Sequence, residues 1–398
     1  MGGGRSPRRD RARRRRLRTY RPALSGLAAN GSGFRDLCSG VAQAESMQTD
    51  DGECGVSEGS TQTSDDHAGF PPGSGSDSEP AAAPDPEADA MAEAAAQRAA
   101  RRRDLATRMG TAAVLIPFVL WAIVRGGLVY LVIVIGIGLI AQREFYGLIV
   151  DKGARPIQPV GLGFGAAVIL VAYFGNEYHA MLLMTASLLV LMVAQLGKNE
   201  IQEAMASISG TFFGVFYVGW LLSHAVLLRK FDAAAASHHD PALLIALGFN
   251  SDSGIFFMVY ALVTLVACDA GAYFAGRAWG RKKLAPQISP NKSIEGALGG
   301  IIMGVLFGLG TKLLCDLVRP DWSAALPWSV AFGFGFVLCL VGIVGDLVES
   351  LLKRDAEVKD TGALLPGMGG VLDRIDAPLL GLPTMYYLLL GYVFLQAS

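Results

Sequence analysis

Charge is scarce in this chain. Only 17% of its 398 residues are Asp, Glu, Lys or Arg and 52% are hydrophobic, whereas a soluble domain carries about a quarter charged residues. An ordinary water-soluble domain is therefore a poor fit. Cysteine is scarce too: Cys38, Cys54, Cys268, Cys315 and Cys339 form no C-x-x-C pair. That spacing excludes a zinc site and implies no disulfide framework, and the three cysteines inside apolar runs read as small hydrophobes. A Walker A pattern is absent, and Gly333-x-Gly335 has neither a preceding strand nor a third glycine, which removes the dinucleotide-binding reading. His238 and His239 lack a third ligand nearby and are expected in a solvated loop.

The net charge of -1 hides a division of the chain. Residues before about position 108 are mostly polar or charged, and those after it are mostly not. Arg5 to Arg21 form a basic block, followed by a Ser-, Asp-, Glu-, Gly- and Pro-rich stretch from Glu45 to Asp89. Such a stretch buries too little apolar surface to offset the entropy of ordering it, so residues 1–90 are expected to be a disordered polar tail. The basic block admits a solvated tail, contact with anionic lipid headgroups, or nucleic-acid contact; the first is the plainest, and no nucleic-acid partner is expected. It is not expected to be a signal peptide, because no apolar core of about 7–15 residues follows it. Residues 91–108 predict a short basic helix, and Met91 offers an alternative start.

From Met109 onward the chain offers nine apolar stretches: 109–124, 127–141, 157–174, 180–196, 208–228, 254–275, 297–317, 327–347 and 377–396. A bilayer core needs about 20 such residues per helix, and the first two stretches are short enough to be re-entrant. The fold class expected is an all-α polytopic membrane protein of about nine transmembrane helices, occupying 109–398. If the chain starts inside, the segments 142–156, 197–207, 276–296 and 348–376 fall on the cytoplasmic side and hold most of the basic residues. Count and positive-inside bias agree. The expected location is the cell (inner, cytoplasmic) membrane. Trp121, Trp220, Trp279 and Trp328 lie near stretch ends as interfacial anchors. Gly296, Gly300, Gly304 and Gly308 form a small-residue stripe that suits packing within the chain or in a homodimer.

Chemistry concentrates in two of the cytoplasmic segments. Asp346, Ser350, Lys353 and Arg354 share one helical face at the end of an apolar stretch, with Glu349 beside them. Carboxylates in such a place are costly and point to function; the plain alternative is a helix-end charge paired with Lys353. Lys359-Asp360, then Gly362, Gly367, Gly369 and Gly370, then Asp373-Arg374-Ile375-Asp376 follow in close order. Glycines admit backbone N–H groups close to phosphate oxygens, cations neutralise them, and carboxylates hold a hard divalent ion. A nucleoside triphosphate site needs that combination.

The run from Ser350-x-x-Lys353-Arg354 through Lys359-Asp360 to Pro366-Gly367-x-Gly369-Gly370-x-x-Asp373-Arg374-Ile375-Asp376 resembles the signature of the phosphatidate cytidylyltransferases, or CDP-diacylglycerol synthases. One departure is Met368, where the family usually has His. A second block is similar to the same family: Asp269 through Tyr273 to Arg277, then Ser289-Pro290-Asn291-Lys292-Ser293-x-Glu295-Gly296. Glu144-Phe145-Tyr146 is a fainter echo. The resemblance implies CTP and phosphatidic acid as substrates in a bilayer, and Mg2+ as cofactor with a second cation left open. It implies Asp346, Asp373 and Asp376 as metal ligands, with Lys353, Arg354, Lys359, Asp360 and Arg374 as catalytic groups around the phosphates. Asp269, Arg277, Ser289, Lys292, Ser293, Ser350, Gly369 and Gly370 are implied as substrate-binding. A CTP-dependent polyprenol kinase or an archaeal-type CDP-lipid synthase is the alternative enzyme. A transporter fits poorly, because the charges cluster instead of spreading over repeats.

Overall fold

The computed structural model describes residues 107, 109–198, 203–237, 239–364, 367 and 369–397. The expectations for the 1–90 tail, nearly all of the 91–108 helix, His238 and Met368 fall outside the described residues. Without water to satisfy backbone N–H and C=O groups, apolar segments in a bilayer close their hydrogen bonds internally as helices. The described chain does so. Its apolar helices are α1 (Met109–Arg125), α2 (Gly127–Asp151), α3 (Gln158–Phe174), α4 (Glu177–Leu196), α5 (Ala204–Arg229), α6 (Ser253–Trp279), α7 (Ile294–Val318), α8 (Trp328–Asp355) and α9 (Leu372–Ala397). Seven of them are long and apolar enough to cross a membrane by length and composition, while α1 and α3 are shorter. The expected count of about nine thus divides into seven full-length helices and two short ones. α1 and α2 are separated by Gly126, whose φ of 59° breaks the helix where a side chain would be strained.

Two features depart from the hydropathy reading. The first is a two-stranded antiparallel hairpin, β1 (Lys283–Ala285) and β2 (Ser289–Ser293), with Lys283 opposite Ser293 and Ala285 opposite Ser289. Hydropathy carries no signal for strands this short and polar. The second is the reach of the helices beyond their apolar cores. α2 continues to Asp151, α8 to Asp355, and α9 begins at Leu372, so much of the expected loop chemistry sits on helix ends. Within α5, Val215–Trp220 is a π-helical turn.

Glycine sets the close approaches. Gly296, Gly300, Gly304 and Gly308 are all buried, while Leu298, Ile302, Leu306 and Leu313 of the same helix are exposed. A Cβ on Gly300 would stand 2.7 Å from the Cys268 carbonyl oxygen, and one on Gly304 would stand 2.9 Å from that of Thr264. The stripe therefore packs α7 against α6 within the chain, with the large apolar side chains turned outward as lipid-facing surface is. Similarly, a Cβ on Gly345 would come within 2.9 Å of the Asp376 carbonyl oxygen, which brings α8 and α9 together one residue from Asp346. The buried core runs through Tyr146, Tyr260, Phe256 and Leu338.

The helix ends sort into two sets. Lys152 pairs with Asp355 at 2.7 Å, Lys198 donates to the Arg155 carbonyl at 3.2 Å, and Arg354 Nε reaches the Ile288 carbonyl at 3.4 Å. Elsewhere, Arg229 donates to the Ile123 carbonyl at 2.7 Å and Asn250 to that of Asp321 at 2.6 Å. Segments expected to share a side of the membrane thus touch one another.

Candidate active site

Three carboxylates converge where α8 meets α9. One oxygen each from Asp346, Glu349 and Asp376 lie within 4.8 Å of one another. Asp346 and Glu349 are one turn apart on α8, and the α8–α9 contact at Gly345 brings Asp376 to them. Glu349 is only 1% exposed and Asp376 9%. Ionised groups so buried need partners. Glu349 Oε2 accepts from Lys353 Nζ at 2.8 Å, whereas its Oε1 is buried without a hydrogen-bond partner. Asp376 Oδ1 accepts from the Ala377 amide at 2.8 Å.

Asp373 points elsewhere. Its Oδ1 takes a bond from Lys353 Nζ at 3.1 Å, and its Oδ2 accepts from the amides of Gly370 at 2.8 Å and Thr361 at 3.1 Å. Asp373 thereby ties the middle of the loop between α8 and α9 to its C-terminal end, and Lys353 bridges it to Glu349. Glu144 of α2 completes this frame: its two oxygens accept from the amides of Val371 at 3.0 Å and Leu372 at 2.8 Å. Those amides lie just before and at the first residue of α9, where helix starts leave N–H groups unpaired and favour negative charge. Gly369, at φ 84°, makes the turn before them.

The hairpin forms the facing wall. Ser293 accepts from the Gly296 amide at 3.1 Å as the N-cap of α7, and Glu295 accepts from the amides of Arg281 at 3.0 Å and Lys282 at 3.1 Å. With its base so held, β2 presents Lys292, whose ammonium is ion-paired with Asp346 Oδ2. Ser289 is half-buried at the start of that strand. On α6, Asp269 lies within electrostatic reach of Asp376, Asp346, Lys292 and Arg374. Further along, Arg277 donates to the Tyr273 hydroxyl at 3.1 Å, and both are exposed.

The structure therefore gathers Asp269, Lys292, Asp346, Lys353, Asp373 and Asp376 in one groove. Ser350 is half-buried on the same helix as Asp346, and Arg354, Lys359, Asp360 and Arg374 are exposed at the rim. Ser293 is occupied as a cap and Arg277 stands with Tyr273. Three contributors lie outside the residues to which the sequence assigns a role. Glu349 stood in view, three residues after Asp346, and that spacing places both on one helical side. Glu144 belonged to a fainter echo and meets its partners 227 and 228 residues away. Thr361 acts through its backbone amide, which carries no sequence signal.

The donor set suits a divalent cation. It offers oxygen ligands only, it includes a buried unpaired Glu349 oxygen, and hard ions such as Mg2+ favour such sites.

Residues 106–392 match the Cytidylyltransferase family. A phosphatidate cytidylyltransferase of Bacillus subtilis (strain 168) is 41% identical over 136 residues, which is 34% of this chain and 48% of that protein. The match to the B. subtilis relative thus spans about half of its length. One from Synechocystis is 32% identical over 268 residues, 64% of this chain and 85% of that protein. A chloroplastic one from Arabidopsis thaliana is 34% identical over 269 residues, 64% of this chain and 66% of that protein. With the match running from the first apolar helix into the last, the chain belongs to the cytidylyltransferase family.

Proposed function

We propose that this groove transfers the cytidylyl group of CTP to phosphatidic acid, giving CDP-diacylglycerol and pyrophosphate. The observation that carries the reading is the convergence of Asp346, Glu349 and Asp376 with Lys292 and Lys353 at the ends of apolar helices. A phosphomonoester headgroup has a second pKa of about 6 and is mostly dianionic at neutral pH. It attacks the α-phosphorus of CTP directly, the bond to the bridging oxygen breaks, and pyrophosphate leaves. No general base is needed. The protein's work is to align two anions and offset their charge.

Asp346, Glu349 and Asp376 would hold the divalent cation, taken as Mg2+. When bound, it supplies charge neutralisation at the triphosphate. Lys353 is fixed between Glu349 and Asp373 and presents positive charge beside the carboxylates. Arg354, Lys359 and Arg374 at the rim contact phosphates, with Asp360 orienting the loop. The amides near Gly369 and Gly370 lie along the same edge. Asp269, Ser289, Ser293 and Ser350 line the side where CTP or the lipid phosphate rests, and Arg277 stands at the lipid edge with Tyr273. We assign Asp373 to the loop frame; it becomes available as a ligand, for the first ion or a second, only if Lys353 turns to phosphate. The groove faces the cytosol from the cytoplasmic membrane, where CTP is found. A homodimer would have to use a surface other than the glycine stripe, which α6 covers.

The test is CDP-diacylglycerol formation by purified protein with Mg2+, phosphatidic acid and CTP labelled at the α- or γ-phosphate. Label from the α-position should enter lipid; transfer from the γ-position alone would make the chain a kinase.

A further inference from the structure

The two lysines of the groove are held differently. Lys353 is clamped by two carboxylates, Glu349 at 2.8 Å and Asp373 at 3.1 Å. Lys292 has one ion-pair partner, Asp346. An ammonium carries three donors, and a single carboxylate contact does not use them all. Its backbone is secured, because the next residue, Ser293, is buried and caps α7. Its four-carbon stem has several rotatable bonds through which the ammonium can be re-aimed.

Asp346 is also a member of the carboxylate triad. A divalent cation held by that carboxylate repels an ammonium a few ångströms away. We infer that Lys292 is a resident counter-cation of the groove, exchanged by the divalent ion and then released to bind the CTP phosphates. This rests on the reaction proposed above and adds an order of events to it. Before loading, Lys292 neutralises Asp346 and keeps the groove compact. On loading, the ammonium needs a new anion, and the triphosphate is the one that arrives. Coupling between sites is reciprocal, so metal and nucleotide favour each other's binding through this one side chain.

The prediction runs against ordinary expectation for an active-site lysine. With full-length protein in detergent and no nucleotide, Mn2+ binding followed by electron paramagnetic resonance should tighten about tenfold or more in Lys292→Gln. Lys292→Arg, which keeps the charge, should stay near wild type. The same Gln variant should show a raised KM for CTP, so that metal and nucleotide affinities move in opposite directions. Mn2+ affinity unchanged or weakened in Lys292→Gln would overturn the proposal. A second measurement uses the wild type and is independent of variant folding. Labelling of Lys292 by an amine-reactive reagent should rise several-fold with Mg2+ and fall again when CTP is added. Labelling indifferent to Mg2+ would also overturn it. Neither readout depends on turnover, so a chain without cytidylyltransferase activity would fail the assay of the preceding section while these results stood or fell alone.

Discussion

Asp376 and Asp373 are three residues apart, and the groove uses them differently. Asp376 sits in the triad, while Asp373 holds the loop through Lys353 and the amides of Thr361 and Gly370. Replacing Asp376 by Asn should cut CDP-diacylglycerol formation by at least about a hundredfold and leave the loop resistant to limited proteolysis. Asp373→Ala should also abolish turnover, but it leaves Lys353 with one partner and frees the loop, so proteolytic cleavage between α8 and α9 should speed up. Equal cleavage rates in the two variants would remove the distinction. Glu144→Gln trades a charged acceptor at the start of α9 for a neutral one that can satisfy only one of the two amides. It should lower stability by about 1–3 kcal/mol, read as a drop in melting temperature in detergent.

At the scale of elements, the pairing of α6 with α7 positions the hairpin, because β1 and β2 join their ends. Gly300→Leu would drive a side chain into the Cys268 carbonyl region, where even a Cβ stands 2.7 Å away. Overpacking of this kind costs about 1–3 kcal/mol or more. The expected result is a lower melting temperature together with weaker CTP binding, since Lys292 moves with the hairpin. Gly310, which has open space beside it, should accept Ala with neither effect. The elements themselves were largely legible: each apolar stretch in the sequence corresponds to a helix of the structure, because a bilayer leaves the backbone few other solutions. The hairpin was not legible, as its five-residue strand Ser289–Ser293 is polar and includes Pro290. Nor were the extended ends of α2, α8 and α9, since hydropathy stops at the last apolar residue while hydrogen bonding continues through Lys353 and Arg354.

For the whole molecule, the sidedness of the two sets of helix ends can be measured directly. Single cysteines at Lys359 and Asp240 should react with a membrane-impermeant thiol reagent from opposite faces of sealed vesicles; reaction from one face would dismantle the topology. Much of the groove was readable at this scale because the signature residues are close in sequence and the helix period alone aligns Asp346 with Lys353. What could not be read is which carboxylate meets which cation. Lys292 reaches Asp346 across 54 positions, and Glu144 reaches α9 across more than 200; such pairings depend on helix approach at Gly345 and Gly300.

The widened turn in α5 has a consequence for how this chain can be shortened. Val215–Trp220 holds one more residue than a regular turn would accommodate, with Tyr217 and Val218 directed inward and Phe216 exposed. Deleting a residue from an ordinary helix rotates everything beyond it by about 100° and scrambles its contacts. Deleting Phe216 would instead draw the turn back to a regular α-helix, leaving Thr211 and His224 facing their present neighbours. At that position the chain should tolerate losing a residue, where a regular α-helical stretch would not.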